Sequence, residues 1–154
     1  MPVEATWTQE MEFRVQFPAG ETLTLASVPR DRRPGPGPSP MDAVQAAVAA
    51  CTGMDVISIL QKMRKTLSSL RIEVEATRRE EHPRIFTDLV LIYHLDGPDL
   101  DEASVGRAVH LSQEKYCSVA AMLRPTVRLD YRIRMNGQLI DAPLTGTDSL
   151  DPAM

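Results

Sequence analysis

The chain has 154 residues, a length that suits one domain over 1–154, and 43% of them are apolar, enough for a core. A formal net charge of −4 argues against non-specific binding to nucleic acid or to an acidic membrane surface, and no run reaches the roughly 18 uninterrupted apolar residues of a membrane helix. Two cysteines and three histidines are too few for a disulfide scaffold and are not in zinc-finger spacing, so a metal site is unprompted and no cofactor is expected.

No basic stretch followed by an apolar one opens the chain, so the expected location is cytoplasmic, where thiols stay reduced. Residues 11–17, MEFRVQF, alternate, with Met11, Phe13, Val15 and Phe17 facing one way. Residues 21–28, ETLTLASV, follow a Pro-Ala-Gly turn, and the two strands read as an N-terminal hairpin. Residues 28–39 form a loop of proline, glycine and arginine that sustains neither helix nor strand. It is either a solvated linker or a segment that bends over a site and brings a guanidinium to it.

Ser39 is placed to cap a helix with Pro40 at its first position. The helix is expected over residues 40–67 and centres on AVQAAVAACTGMDVISIL. Its first half is apolar on every side, which requires cover from other protein. Cys51 sits in the middle of it, either as a small core residue or as a reaction centre. Gly53 nearby leaves room for a close neighbour.

Residues 70–78 return to a period of two, with Leu70, Ile72, Val74 and Ala76 on one side. Residues 84–95 are apolar on both faces in the middle of the run and so belong in the middle of a sheet. Asp101 is placed to cap a helix running to Cys117, with Val105, Val109, Ser112 and Tyr116 as its buried stripe. Ser118 then caps a short turn closed by Pro125. Residues 126–135 alternate strictly, which predicts an antiparallel strand with one wet face, and residues 136–154 read as a loose tail.

This order predicts an α+β fold, with antiparallel sheets around a long central helix. One sheet covers one side of that helix, so a second copy of the chain is expected against the rest, as a homodimer.

The run SPMDAVQAAVAACTGMDVISIL, followed by LSQEKYCSVAAML, resembles the OsmC/Ohr family of osmotically inducible and organic-hydroperoxide-resistance proteins, in its YhfA-like branch. The resemblance covers residues 12–134. It implies an intertwined homodimer whose active sites lie at the subunit interface. It further implies that Cys51 attacks an organic hydroperoxide and that Cys117 closes a disulfide, which a dithiol reductant reopens. The family's peroxidases place an Arg near the N-terminal hairpin and a Glu at the start of the central helix. Here the Glu position falls on Met41, with Asp42 next to it, and the Arg position falls near Met11, with Arg14 the nearest guanidinium.

A thiolate is the attacking species, and the helix dipole fades before Cys51, so a fixed cation is expected beside the sulfur. Arg14 and Asp42 are the first candidates, with Arg30, Arg32, Arg33 and Arg124 as other sources of a guanidinium. His82 reads as a surface residue, His94 as packed and Tyr116 as core. His110 is the one histidine placed to serve as a base in a Cys/His hydrolase. The leading expectation is a thiol-dependent peroxidase. The alternative is a non-catalytic dimer that binds an apolar small molecule at its interface.

Overall fold

The computed structural model describes residues 2–141, which belong to two compact units, Met1–Ala46 and Ala47–Met154, with the long central helix continuous across the boundary. The first unit contains a three-stranded antiparallel sheet in the order β1-β2-β3. Its strands are β1 (Glu4–Gln9), β2 (Glu12–Gln16) and β3 (Thr22–Ala26). The expected hairpin is β2 and β3. Strand β1 was not foreseen, because EATWTQ carries only one large apolar side chain. It pairs through Trp7 opposite Phe13.

The proline-rich loop is neither a free linker nor shapeless. Residues Arg30–Arg32 make a single 3-10 turn, and the Ala26 N–H donates to the Pro38 carbonyl at 2.9 Å. Gly37 lies so close to the Thr24 carbonyl that any side chain there would collide with backbone.

Helix α1 (Pro40–Lys62) starts where its capping residues say it should. The Asp42 N–H donates to Ser39 Oγ at 3.1 Å, and the Ser39 N–H donates to Asp42 Oδ2 at 2.9 Å. That is a reciprocal capping box with Asp in the usual Glu position. The helix ends five residues before Leu67. Arg64 adopts a left-handed φ of 59°, and the N–H groups of Lys65 and Arg64 donate to the Leu60 and Gln61 carbonyls. This is a Schellman ending with arginine where glycine is usual. By length and composition alone α1 could cross a membrane, as core helices of water-soluble folds also could. Its residues Val48, Thr52, Gly53, Val56 and Leu60 are buried.

The second unit contains a four-stranded sheet, β4-β5-β6-β7. Strand β4 (Ser69–Arg78) is antiparallel to β5 (Phe86–Asp96), which is central as its apolar run requires. A side chain at Gly53 would press on Ile72 of β4 at 3.2 Å, so the glycine lets helix and sheet approach closely. Strand β6 (Arg128–Met135) has the expected wet face of Arg128, Arg132 and Arg134. Its direction differs from the expectation: it lies parallel to β5, with Asp88 opposite Arg128 and Tyr93 opposite Ile133. A connection that itself holds helices carries the chain back to the end where β5 began, and that dictates a parallel pair. Asn136 and Gly137, both with positive φ, then reverse the chain into β7 (Gln138–Ile140), so the first part of the expected loose tail is a hairpin. Residues 142–154 lie outside the described residues. The described chain is α+β, with mostly antiparallel sheets and one long helix.

Candidate functional site

Three side chains meet in the second unit: the sulfurs of Cys51 and Cys117 and a carboxylate oxygen of Asp55 all lie within 4.8 Å of one another. Asp55 stands one helical turn after Cys51, so α1 presents both on one face. Both thiols are free; Cys51 is half-buried and Cys117 is only 2% exposed.

Cys117 reaches this place through a change of helical pitch. The helix expected to run as far as Cys117 is two pieces, α2 (Glu102–Leu111) and a π-helical turn (Ser112–Tyr116), and the expected short turn after it is the helix α3 (Ser118–Leu123). Asp101 caps α2 as anticipated, accepting from the Ser104 N–H at 2.8 Å. The Cys117 N–H then donates to the Ser112 carbonyl at 2.8 Å, the wider spacing of a π turn. The turn brings Ser112 and Gln113 into the interior and leaves Tyr116, expected in the core, 50% exposed. Ser118 does not cap α3. The Cys117 sulfur does, accepting from the Ala120 N–H at 3.4 Å.

Burial pushes the Cys117 thiol up to about 11, against a smaller opposing pull from the Ala120 N–H; the neighbouring Cys51 and the Asp55 charge push in the same direction as burial. The buried thiol therefore keeps its proton at neutral pH. Cys51 is the more accessible of the two sulfurs.

A buried chain of hydrogen bonds leads to Asp55. Ser112 Oγ donates to Asp55 Oδ2 at 2.9 Å. Thr52 Oγ1 lies 2.7 Å from Ser112 Oγ and 2.7 Å from the Tyr93 hydroxyl. Gln113 Nε2 donates to Tyr93 at 2.7 Å. A hydroxyl has one proton to give. Ser112 gives its proton to the carboxylate, so Thr52 donates to Ser112 and Tyr93 donates to Thr52. Burial pushes the Tyr93 phenol up, so Tyr93 is a donor at any ordinary pH. Thr52 and Ser112 are fully buried and Gln113 is 3% exposed, so each depends on these partners.

Further along α1, Asp55, Ser58, Ile59 and Lys62, with Met63 just past its end, help line a cavity of ≈ 350 Å³ together with Arg107, Leu111 and Tyr116. As donors, two thiolates and a carboxylate suit a borderline divalent ion with one tetrahedral position left open.

The other anticipated groups lie on several elements. Arg14 is exposed on β2, opposite Thr6 and Thr24, and Asp42 holds the capping box; both belong to the first unit. Arg33 lines a cavity of ≈ 470 Å³ with Ser39 and Asp42 in that unit, and Arg32 is exposed in the 3-10 turn. Arg124 donates to the Gln113 carbonyl at 2.9 Å and faces Glu114 at 3.6 Å. His110 is exposed and His94 packs beside Glu73, with Nε2 to carboxylate oxygen at 3.4 Å; no histidine joins the thiol cluster among the described residues. Sequence reasoning missed Asp55, Thr52, Tyr93, Ser112 and Gln113. For Asp55 there was a signal, its place one turn after the cysteine. Ser112 was expected on the buried stripe of its helix, but nothing there marked it as a site residue; Thr52, Tyr93 and Gln113 carry no such mark.

The OsmC family model, described as OsmC-like protein, matches residues 33–132. Protein YhfA of Escherichia coli K12 is 37% identical over 131 residues, covering 85% of this chain and 95% of that protein. An OsmC-like protein from Mycoplasma pneumoniae superposes with a TM-score of 0.77 at 14% identity, over 87% of this chain and 95% of its own. The organic hydroperoxide resistance protein OhrB of Bacillus subtilis superposes with a TM-score of 0.62 at 16% identity, over 87% and 98%.

Proposed function

We propose that this chain, which belongs to the OsmC-like protein family, is a thiol-dependent reductase of organic hydroperoxides. The observation that carries the reading is the meeting of the Cys51 and Cys117 sulfurs within 4.8 Å, from positions far apart in the second unit's sequence, as free thiols. Hydroperoxide-resistance proteins that share the fold support it. The Cys51 thiolate attacks the outer peroxide oxygen. The O–O bond breaks, its electron pair and a proton leave as the alcohol, and Cys51 becomes a sulfenic acid. Cys117 then attacks that sulfur, a disulfide forms and water leaves. A dithiol reductant returns both thiols. The half-buried sulfur is open to substrate and the buried one is held for the second step, so the order is Cys51 first. This chemistry needs neither metal nor organic cofactor, and the thiols require a reducing compartment such as the cytoplasm.

The working form in this reading is a homodimer. Ala50, Met54 and Ile57 recur at helical spacing on α1, with Met54 69% and Ile57 38% exposed. In the first unit Trp7 and Phe13, paired across β1 and β2, are 64% and 43% exposed. Two such apolar faces are what a second copy of the chain would cover.

The test is mass spectrometry of the reduced protein after one equivalent of an alkyl hydroperoxide. A Cys51–Cys117 disulfide is expected. Unchanged free thiols would refute the reading. The ≈ 350 Å³ cavity supports a second reading, a dimer that binds an apolar molecule against Ile59, Met63 and Leu111 with the thiols incidental. Under that reading a Cys51→Ser protein keeps a copurified ligand in native mass spectrometry; under the first, it loses hydroperoxide consumption.

A further inference from the structure

We propose that Asp55 is the proton-transfer residue of disulfide closure: its carboxylate takes the proton of the Cys117 thiol as that sulfur attacks Cys51. This inference rests on the reading of Cys51 and Cys117 as a redox pair.

The geometry supplies three arguments. First, a carboxylate oxygen of Asp55 lies within 4.8 Å of both sulfurs, a gap that one water molecule spans, so one carboxylate is near both the thiol that must lose a proton and the sulfur where a leaving group must gain one. Second, the carboxylate is held in place: Ser112 donates to Asp55 Oδ2 at 2.9 Å, and Thr52, Tyr93 and Gln113 fix Ser112 in turn. Third, the second step has a difficulty that a base resolves. Cys117 is 2% exposed and keeps its proton, so bulk hydroxide reaches it poorly and its thiolate is scarce. The titratable groups facing it are Cys51 and Asp55 on α1 and Tyr93 on β5; Tyr93 is protonated and already donates within the hydroxyl chain. Asp55 is the one acceptor of a proton among them that does not itself become part of the new bond.

The step balances as follows. The Cys117 sulfur contributes the electron pair of the new S–S bond while its proton moves to Asp55. The S–O bond of the Cys51 sulfenic acid breaks, and its pair leaves on the hydroxyl. Asp55 passes the proton to that hydroxyl, which departs as water. The carboxylate ends as it began. Because the proton moves while the S–S bond forms, a weak base suffices. The same carboxylate opposes charge on Cys117 at rest, which keeps the thiol from reacting before Cys51 is oxidised.

The closing step is isolated by adding one equivalent of 5,5′-dithiobis(2-nitrobenzoate) to the reduced protein. Cys51, the accessible thiol, releases the first equivalent of coloured aryl thiolate and retains the aryl group as a mixed disulfide. Cys117 then displaces the second equivalent, and that leaving group needs no proton. At pH 7, Asp55→Asn should slow the second release by about 10²-fold or more while the first release changes only a few-fold. In the variant the second release should rise about tenfold per pH unit between 7 and 9, because ionisation by solvent hydroxide becomes the only route. The unsubstituted protein should show a flatter profile. A second release at the original rate, or one slowed equally at every pH, overturns the proposal. If Asp55→Asn does not fold, Asp55→Glu decides: displacing the carboxylate by one methylene must alter the second release and spare the first, and equal rates overturn the proposal. Treatment with an alkyl hydroperoxide separates the two readings. If neither a Cys51 sulfenic acid nor a Cys51–Cys117 disulfide forms, the peroxidase reading falls, while the aryl disulfide assay still judges Asp55.

Discussion

The Ser112 hydroxyl, at the first position of a π-helical turn, donates at 2.9 Å to the Asp55 carboxylate on α1, and that bond ties the element bearing Cys117 to the element bearing Cys51. Replacing Ser112 by alanine removes the donor without touching either sulfur. Asp55 should then be less well aimed, and disulfide closure should slow by about tenfold, less than for loss of the carboxylate itself. Thr52 also loses its acceptor, so urea titration should show a destabilisation of about 1–3 kcal/mol. Closure at an unchanged rate in a folded Ser112→Ala protein would show that the bond is only structural.

Thr52 is the junction of the buried chain, since its hydroxyl meets both Tyr93 and Ser112 at 2.7 Å. Thr52→Val keeps the volume and removes every bond. Tyr93 and Ser112 are then left with one buried partner fewer each, and a loss of about 1–3 kcal/mol is expected in equilibrium unfolding. Thr52→Ser should recover most of it. Equal stability of the valine and threonine proteins would mean that the network does not hold the fold.

Stability of the reduced protein should fall with rising alkalinity. Folding raises the Cys117 thiol from an ordinary 9.0 to about 11, through burial first and then its neighbours Cys51 and Asp55. Below pH 9 the thiol is protonated in folded and unfolded chains alike, and the full stability is present. Between 9 and 11 the unfolded chain releases the proton and the folded chain does not, so unfolding is favoured progressively. The denaturation midpoint should drop across that window in the reduced protein, and this component should vanish in Cys117→Ser.

Assembly is checked through Met54. A lysine at this 69% exposed position has little to disturb within one chain, yet it puts a charge on the apolar face of α1. Sedimentation should show a dimer for the original protein and a shift to monomer for Met54→Lys, with the circular dichroism of the helix kept. A monomer in both cases would remove the proposed interface.

Much of this architecture was legible because local rules and tertiary demands coincide. Ser39, Pro40 and Asp42 begin α1, and Asp101 begins α2, through side chains that satisfy the first free N–H groups of their own helices. The run from Phe86 to Asp96 is apolar on both faces in its middle, and only a central strand suits that pattern. Where the reading went astray, the deciding contact was with a distant segment, or a local signal was outweighed. Asn136-Gly137 is a hairpin dipeptide that was passed over in a polar tail. The direction of β6 is set by the helices that precede it, and its own alternation says nothing about direction.

The order of the residues determined by itself that Cys51 would lie inside a long helix, that a strand buried on both faces would centre the second sheet, and that the family is the OsmC-like one. Helix periodicity, capping chemistry and motif spacing are properties of neighbouring residues, so they can be read along the chain. That Cys117 pairs with Cys51 was expected from the family resemblance; only the tertiary structure decided that the two sulfurs meet beside Asp55, that a π turn rather than a continuous helix delivers Cys117, and that Thr52, Tyr93, Ser112 and Gln113 join in one buried chain. Such polar groups select one another by distance and by the cost of remaining unpaired away from water, and neither exists until the core has closed.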